Sequence, residues 1–208
     1  AGGGLLKPDK TYDKKDAPNI FPIFEEAGYT VARGYSDYKD KSKDAGKMIL
    51  IQEEGKDPSC LPYAIDRKSD DLTLAQITES AIDFLTKGKN KGFFLMVEGA
   101  RIDKSAHSND YSAVVREVLD FDKAVEAAIR FAEKDGNTLV IISADHETGA
   151  LALRDGNIKE GKMKAMFVSK GHTPIMVPLF AYGPQSKLFG GVQENSDVSN
   201  KILQLLAK

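Results

Sequence analysis

The sequence predicts an α/β protein built on an open, mostly parallel sheet with helices on both faces. Residues 93–97 and 138–143 form two apolar runs without polar alternation, which is typical of strands buried on both faces. Between them, apolar residues recur at helical spacing over 114–132, and Gly136-Asn137 ends that pattern. A strand, a crossover helix and a second strand form a parallel βαβ unit, from which sheets of this kind are built.

The part of the chain before this unit also alternates between helix and strand. Asn19 can cap the first helix, which Gly28 ends, and Asp71 or Thr73 can cap a later amphipathic helix. The predicted elements are a helix over 19–27, strands over 29–32 and 48–51, and a helix over 74–85.

The part after the unit begins with a change of composition. Residues 147–171 are polar and contain several glycines, which indicates a small hairpin or excursion at the edge of the sheet. A strand over 175–182 and an amphipathic helix from the cap Ser196 to Leu206 follow. Residues 1–208 are therefore expected to belong to one domain with this single excursion.

Composition excludes several classes of protein. The 208 residues include 29 Lys and Arg against 31 Asp and Glu, and this balance argues against a dedicated nucleic-acid-binding protein. No apolar run approaches the ~18 residues that a membrane span requires. Cys60 is the single cysteine, so an internal disulfide is excluded and a structural role is expected.

The first residues are unusual for the start of a protein. The chain opens Ala1-Gly2-Gly3-Gly4, without an initiator methionine or a signal-peptide layout. A run of three glycines fits an interior turn better than a native terminus, so we expect the chain to be a piece of a longer protein. It is not a phosphate-binding loop, because the Lys-Ser/Thr pair of that motif does not follow.

Carboxylate and imidazole side chains follow the two predicted central strands. Glu98 comes directly after the first of them, and Asp145 and His146 come directly after the second. Because ligands of open α/β sheets bind beyond the carboxyl ends of parallel strands, we expect these side chains to converge.

The spacing of these residues suits a metal ion. Asp103 and His107 lie four residues apart, so one face of a helix presents both. His172, the last of three histidines, precedes the strand over 175–182. Imidazole with carboxylate is the ligand set of catalytic zinc, and oxygen-rich sites suit magnesium. Each residue alone is compatible with an ordinary turn or a solvated surface, but their joint placement favours a metal site.

Three segments carry a family resemblance. Residues 94–107 read Phe-Leu-Met-Val-Glu-Gly-Ala-Arg-Ile-Asp-Lys-x-x-His, 143–149 read Ser-Ala-Asp-His-Glu-Thr-Gly, and 171–173 read Gly-His-Thr. In order and spacing they resemble the metal-binding motifs of the alkaline phosphatases, and the similarity extends through 181–184 and the last helix. The opening glycines resemble a segment that lies mid-chain in that family.

The resemblance implies an alkaline phosphatase-like fold and a set of metal ligands. Asp103, His107 and His172 would hold a first zinc, and Asp145 and His146 would contribute to a second. The two zincs of the family clamp the attacking and leaving oxygens of an in-line displacement on a phosphate monoester.

Two further residues take roles from the same resemblance. Glu98 would be a ligand of a neighbouring magnesium ion. Lys104 matches members of the family in which a lysine after the aspartate helps to hold phosphate through water. The resemblance further implies export to the periplasm or secretion, and a homodimeric parent protein.

One departure from the family pattern is large. The family's nucleophilic serine follows an aspartate, and the present sequence contains no Asp-Ser pair. The serine, the phosphate-binding arginine and the magnesium-binding threonine belong to a half of the family's chain that has no counterpart here. The sequence therefore resembles the C-terminal half of an alkaline phosphatase, with no catalytic nucleophile, and we expect it to be inactive alone.

Other functions share part of this pattern. Metal-dependent phosphomutases and sulfatases use similar Asp-His pairs, although the segments 98–107 and 147–149 favour the phosphatase. A non-catalytic metal-binding or interaction module is a further alternative.

Overall fold

The structure is a computed structural model that describes residues 1–3, 20–52, 60–88 and 92–207. The chain divides into two compact units. Unit 1 comprises residues 1–102 and 112–124, and unit 2 comprises residues 103–111 and 125–208.

Unit 1 is built on a parallel strand pair. Strands β1 (Thr30–Arg33) and β2 (Met48–Ile51) pair in parallel, and their bounds confirm the two predicted strands to within one residue. The helices of this part are α1 (Phe21–Glu26), α2 (Gly34–Lys41) and α3 (Leu74–Thr86). The predicted cap Asn19 lies outside the described residues.

Both faces of this strand pair are covered, as predicted for a parallel sheet. On one face Val31, Ile49 and Ile51 form a buried cluster, against which Phe21 and Phe24 of α1 pack. The opposite face has its own buried cluster, which includes residues of α2 and α3: Ala32, Tyr38, Leu50, Leu72 and Ile77. Alternate strand residues point to opposite faces, and this explains how two short strands supply both clusters.

The helix α3 begins at the cap that the sequence offered. The Thr73 side chain accepts from the Gln76 amide and the Gln76 side chain accepts from the Thr73 amide, each at 3.0 Å, which is a capping box. The other candidate, Asp71, instead accepts from the Gln52 side chain and the Lys68 amide at 2.8 Å.

An ion pair and a hydrogen bond join the loop before α3 to the helix α5 (Tyr111–Asp135) inside unit 1. Arg67 donates to both oxygens of Asp120, at 2.6 and 2.7 Å, and these side chains are only 12% and 10% exposed. Glu117 of the same helix accepts from the Ala64 amide at 2.6 Å. Cys60 is also buried in this unit.

The prediction of a strand over residues 93–97 is wrong. Residues 92–99 belong to no strand or helix, and exposed and partly buried positions alternate along them. Phe94 and Met96 are 60% and 76% exposed. A local apolar run shows that a segment can be buried. Whether both of its faces are buried depends on which other segments pack against it, and the run itself does not specify those segments.

Unit 2 contains the second predicted central strand, β3 (Val140–Ser143), with a different partner. It pairs antiparallel with β8 (Leu179–Tyr182), from Val140 opposite Tyr182 to Ser143 opposite Leu179. The predicted βαβ unit is therefore not formed by the described residues, because its first strand is missing and β3 pairs antiparallel. The predicted strand over 175–182 is confirmed in its second half.

A hairpin that forms its own two-stranded sheet lies within residues 147–171, where the sequence predicts an excursion. Strands β5 (Ala152–Asn157) and β6 (Lys162–Met166) pair antiparallel around a single 3-10 turn over Ile158–Glu160. Two shorter strands, β4 (Glu147–Thr148) and β7 (His172–Thr173), lie on either side of it in the sequence and pair antiparallel.

Besides a short 3-10 helix over Ser186–Phe189, three α-helices complete the described structure. They are α4 (Ala100–His107), α5 (Tyr111–Asp135) and the last helix α6 (Asn195–Leu206). The last helix confirms the predicted element, but its N-cap is Glu194, two residues before the predicted cap Ser196. Among the described residues, no helix combines the length and the apolar character that crossing a membrane requires.

Candidate metal centre

The helix α4 presents the first two candidate ligands on one face. Asp103 and His107 lie one helical turn apart, and the Asp103 Oδ1 atom is 3.4 Å from the His107 Nε2 atom. Each side chain is 39% exposed, so both are open to solvent on one side.

The strand β7 brings the third candidate ligand to this helix. His172 lies opposite Thr148 in the β4–β7 pair, and its Nε2 atom is 3.0 Å from His107 Nε2 and 3.4 Å from Asp103 Oδ1. A tetrahedral zinc with bonds of about 2.0–2.1 Å places its ligand atoms about 3.3 Å apart. The three atoms therefore have the spacing of three corners of a tetrahedral site, and they form the one such group of three among the described residues.

A backbone carbonyl sets the orientation of the His107 ring. The His107 Nδ1 atom lies 2.5 Å from the Lys170 carbonyl oxygen, which can only accept a hydrogen bond. In a neutral His107 ring, Nδ1 therefore carries the proton and Nε2 has a lone pair toward the other two ligand atoms. Hydrogen bonds of this kind fix the tautomer of metal-binding histidines.

The turn that presents the Lys170 carbonyl is built around Gly149. The Gly149 amide donates to the Gly171 carbonyl at 2.9 Å, and the Gly149 carbonyl accepts from the amides of Val168 and Ser169. Gly149 has a φ of +89°, and a Cβ atom there would lie 2.8 Å from the Phe167 ring. Only glycine fits this position, which explains the glycine after Glu147-Thr148.

The second pair of candidate ligands lies beside the first group. Asp145 and His146 occupy the loop between β3 and β4, with Asp145 Oδ2 3.2 Å from His146 Nε2. The His146 ring stacks on the His172 ring with centroids 3.5 Å apart. Asn195, the first residue of α6, donates from its side chain to the Asp145 carbonyl at 2.7 Å and holds this loop.

Two residues between these groups connect them. The Thr148 hydroxyl donates to Asp103 Oδ1 at 2.6 Å and lies 3.2 Å from His146 Nδ1. Glu147 accepts from the amides of Ala150 and Leu151, each at 3.0 Å, and from the Thr173 hydroxyl.

The hydrogen bonds to Glu147 also decide its ionisation. Desolvation alone would raise the pKa of the Glu147 carboxyl, but the Thr173 hydroxyl, the Leu151 and Ala150 amides and the nearby His146 together hold that pKa below its ordinary value. The carboxylate accepts from Thr173, the residue opposite Glu147 in the β4–β7 pair and the neighbour of His172.

The remaining two candidates are Glu98 and Lys104. Glu98 is exposed at the end of the segment 92–99 and lines a cavity of about 320 Å³ in unit 1. Lys104 follows Asp103 on α4 and is partly exposed. The expected roles of both residues stay predictions.

Sequence reasoning did not assign a role to Thr148, Lys170 or Asn195. The alternation over 146–148 was an available signal for Thr148, because residues two apart in an extended segment share a face. Nothing local marks the Lys170 carbonyl or the Asn195 side chain, since their partners are 63 and 50 residues away.

Comparison with known proteins identifies relatives over nearly the whole chain. Residues 9–166 match the family model of alkaline phosphatase. Alkaline phosphatase 4 of Bacillus subtilis is 32% identical over 97% of this chain and 57% of its own length. The Escherichia coli K12 alkaline phosphatase is 39% identical, but over 61% of this chain and 30% of its own.

Solved structures agree with these matches. Alkaline phosphatase from the Antarctic bacterium TAB5 superposes with a TM-score of 0.81 at 34% identity, over 98% of this chain and 58% of that protein. A variant of the TAB5 enzyme with magnesium bound gives 0.82 at 33% identity.

These similarities confirm the predicted fold class and set the extent of the relationship. The chain spans about 57% of the length of the Bacillus subtilis relative and 58% of the TAB5 enzyme. A match of the family model over residues 9–166 and a relative at 32% identity across nearly all of the chain together show its ancestry. The chain belongs to the alkaline phosphatase family.

Proposed function

We propose that this chain carries most of the divalent-metal centre of an enzyme that hydrolyses phosphate monoesters. The observation that carries the proposal is the convergence of Asp103 Oδ1, His107 Nε2 and His172 Nε2, which lie 3.0 to 3.4 Å apart. Family membership supports the reaction class, and the ligand chemistry supports the metal.

The donor set fits zinc. Two imidazole nitrogens and one carboxylate oxygen match the three protein ligands of catalytic zinc sites, which leave a fourth position open. The half-exposed side chains leave room on the solvent side for that position. When bound, zinc supplies Lewis-acid chemistry toward phosphate oxygens.

The other candidates take supporting roles in the proposal. Asp145 and His146 would contribute to a second zinc, whose remaining ligands this sequence does not supply. Glu98 would serve a magnesium ion, and Lys104 would help to hold the phosphate. Because no Asp-Ser pair occurs in the 208 residues, the attacking serine has to come from outside this sequence.

A zinc-binding measurement on the purified chain tests the proposal. We expect one tightly bound zinc in a chelator competition, lost in His107→Ala and His172→Ala, because either change removes one of three ligands. His146→Ala should keep that zinc, since His146 belongs to the second pair.

Asp155→Ala provides the matched control. Asp155 is an exposed carboxylate of the hairpin that pairs with Lys164 and is not a candidate ligand, and its removal should leave zinc binding unchanged. Zinc binding that persists undiminished in His172→Ala would rule out the assignment of the three ligands.

Activity gives a second test of the same proposal. The 208-residue chain should show no turnover of a phosphate monoester above trace, because it lacks the nucleophile and the phosphate clamp. A protein containing this chain and the remainder of its family domain should hydrolyse the monoester. Preference for a sulfate ester, or transfer of phosphate within a phosphosugar, would point instead to the related sulfatases or phosphomutases.

A further inference from the structure

We propose that Asp155-Gly156 in the hairpin is a site of spontaneous covalent modification, at which the aspartate converts to isoaspartate through a cyclic imide. The same tripeptide, Asp-Gly-Asn, occurs twice in this chain, at 135–137 and at 155–157. Both copies lie in unit 2, and neither contains a candidate metal ligand. The two copies differ in what their amide and carboxylate groups contact, and this difference makes the second copy the reactive one.

The reaction consumes and returns water and needs no other reagent. The backbone nitrogen that follows the aspartate attacks the carboxyl carbon Cγ, a C–N bond forms, and the proton of the nitrogen leaves with the carboxyl hydroxyl as water. Hydrolysis of the five-membered imide then breaks one of its two C–N bonds to the glycine nitrogen. Breaking the new bond restores aspartate, whereas breaking the original peptide bond leaves the main chain running through Cγ, which is isoaspartate. Glycine favours the attack because it has no side chain to obstruct it.

At Asp155 the attacking nitrogen already lies against the carboxylate. The Gly156 amide donates to Asp155 Oδ1 at 2.8 Å, and Cγ is the carbon bonded to that oxygen. The other oxygen, Oδ2, is 3.5 Å from Lys164 Nζ, with the two side chains 62% and 75% exposed. An ion pair this exposed restrains the carboxylate only weakly. Nitrogen and carboxyl are therefore together before the reaction begins.

At Asp135 the same two groups are held by other partners. This residue ends α5, and the Gly136 amide donates to the Ala132 carbonyl at 2.8 Å. The Asp135 Oδ2 atom accepts from the Asn137 amide at 3.2 Å and from the Thr138 hydroxyl at 2.7 Å. Both aspartates are exposed, so access to water does not distinguish them. Hydrogen bonds have to break before the first copy can close a ring.

The hairpin also has the freedom that ring closure requires. Every residue of β5 is exposed, and the pairing with β6 is irregular between Leu153 and Asp155. Backbone with few buried contacts opens at a low cost in free energy. The product would in turn change the hairpin, because isoaspartate adds one carbon to the main chain of β5. The residues after it would then lose their register with β6.

Incubation of the folded chain in water labelled with oxygen-18 tests the proposal. Each passage through the imide adds one labelled oxygen, and mildly acidic buffer is used because a neutral carboxyl loses water more readily than a carboxylate. Digestion in ordinary water, by cleavage after Glu133, Glu147 and Glu160, puts the two sites in separate peptides, 134–147 and 148–160. Electron-transfer fragmentation in a mass spectrometer then locates the label and distinguishes isoaspartate from aspartate.

We expect labelled isoaspartate to form at Asp155 at least about tenfold faster than at Asp135, because one or two typical hydrogen bonds must first be lost at Asp135. In guanidinium chloride the two sites should react at similar rates, because their tripeptides are identical. Asp155→Glu is the matched control for the assignment, since glutamate keeps the charge but would have to close a six-membered ring. It should abolish the isoaspartate signal of the peptide 148–160.

Thr138→Val tests the protection of the first copy. Valine keeps the shape of threonine without its hydroxyl, so isoaspartate at Asp135 should form several-fold faster while the rate at Asp155 stays the same. An unchanged rate at Asp135 in this variant would contradict the protective role of that hydrogen bond.

Two results on the unmodified sequence would overturn the proposal without any variant. One is an equal rate at the two sites of the folded chain, or a faster reaction at Asp135. The other is the absence of isoaspartate at Asp155 over a period in which the chain in guanidinium chloride converts both sites.

Discussion

Units 1 and 2 are held together by different interactions. Unit 1 has a strand pair covered on both faces by apolar side chains, with a buried ion pair beside it. In unit 2 the contacts around the candidate centre include many hydrogen bonds among polar side chains and turn amides. The difference shows that the site is positioned by a polar network, whereas the strand pair of unit 1 is positioned by burial.

The exposure of large apolar residues differs between the clusters around the strand pair of unit 1 and unit 2. Leu50 and Leu72 in unit 1 are 2% and 0% exposed. In unit 2, Leu153, Met176 and Val192 are 67%, 79% and 89% exposed. Within the described part of unit 2, the buried hydrophobic residues are three alanines and one phenylalanine, namely Ala106, Ala127, Ala132 and Phe189.

The buried ion pair of unit 1 offers the largest expected effect. Asp120→Ala should lower the free energy of unfolding by about 3–5 kcal/mol, because it leaves the Arg67 guanidinium buried without its partner. The Arg67 Nε atom already has no hydrogen-bond partner among the described residues, so the change would leave further donors of this guanidinium unsatisfied. Urea unfolding of the purified chain measures the change.

The matched experiment in unit 2 uses an exposed pair. Asp155 and Lys164 are 3.5 Å apart with side chains 62% and 75% exposed, and Asp155→Ala should change the unfolding free energy by about 0–1 kcal/mol. Equal effects of Asp120→Ala and Asp155→Ala would contradict the contrast between the two units.

Core packing is the second way to test the contrast. Leu50→Ala should lower the free energy of unfolding by about 2–5 kcal/mol, because it removes most of a side chain that is only 2% exposed and leaves a cavity in its place. Leu153→Ala, the same change at 67% exposure, should stay within about 0.5 kcal/mol. Urea unfolding of both variants measures the two changes in the free energy of unfolding. A large effect at Leu153 would show that this side chain is packed in solution.

The smallest expected effect concerns Glu117. Burial is the main reason that the pKa of this carboxyl is raised, and the nearby Asp120 adds to it, while the Ala64 amide, Arg67 and Arg101 act in the opposite direction. Because the pKa is higher in the folded than in the unfolded chain, the stability that this group contributes is full below about pH 4 and is lost as pH rises.

Glu117→Gln should therefore weaken the decline of stability with rising pH. Glutamine keeps an oxygen that can accept from the Ala64 amide, and it carries no charge to bury. Urea unfolding at about pH 4 and about pH 7 should show a stability advantage of the variant that grows with pH. A variant that loses stability more steeply than the original chain over this interval would contradict the direction of the shift.

Local sequence patterns were sufficient to predict most of the secondary-structure elements. The strand over 48–51 was predicted with both its bounds, and the helix that begins at Leu74 was predicted with Thr73 as one of two caps. These features depend on propensity, periodicity and side-chain contacts within one or two turns. The helix α2 was not predicted, because its eight residues are largely polar.

Strand partners could not be predicted in the same way. Residues 93–97 are all apolar, whereas residues 138–143 begin with a threonine and end with a serine, yet only the second run contains a strand in the described structure. The partner of β3 is β8, nearly forty residues further on, and the pairing is antiparallel. Hydrogen bonds between strands are tertiary contacts, and a local pattern does not say which segment will supply them.

The sequence by itself determined the α/β class, the four-residue spacing of Asp103 and His107, and the set of carboxylates and imidazoles available for metal. Tertiary structure alone decided that His172, 65 residues after His107, brings its ring nitrogen to within 3.0 Å, and that Thr148 joins Asp103 to His146. The physical reason is one of range. Helical periodicity acts over neighbouring turns, whereas these contacts exist because β4 and β7 pair across the whole hairpin between them.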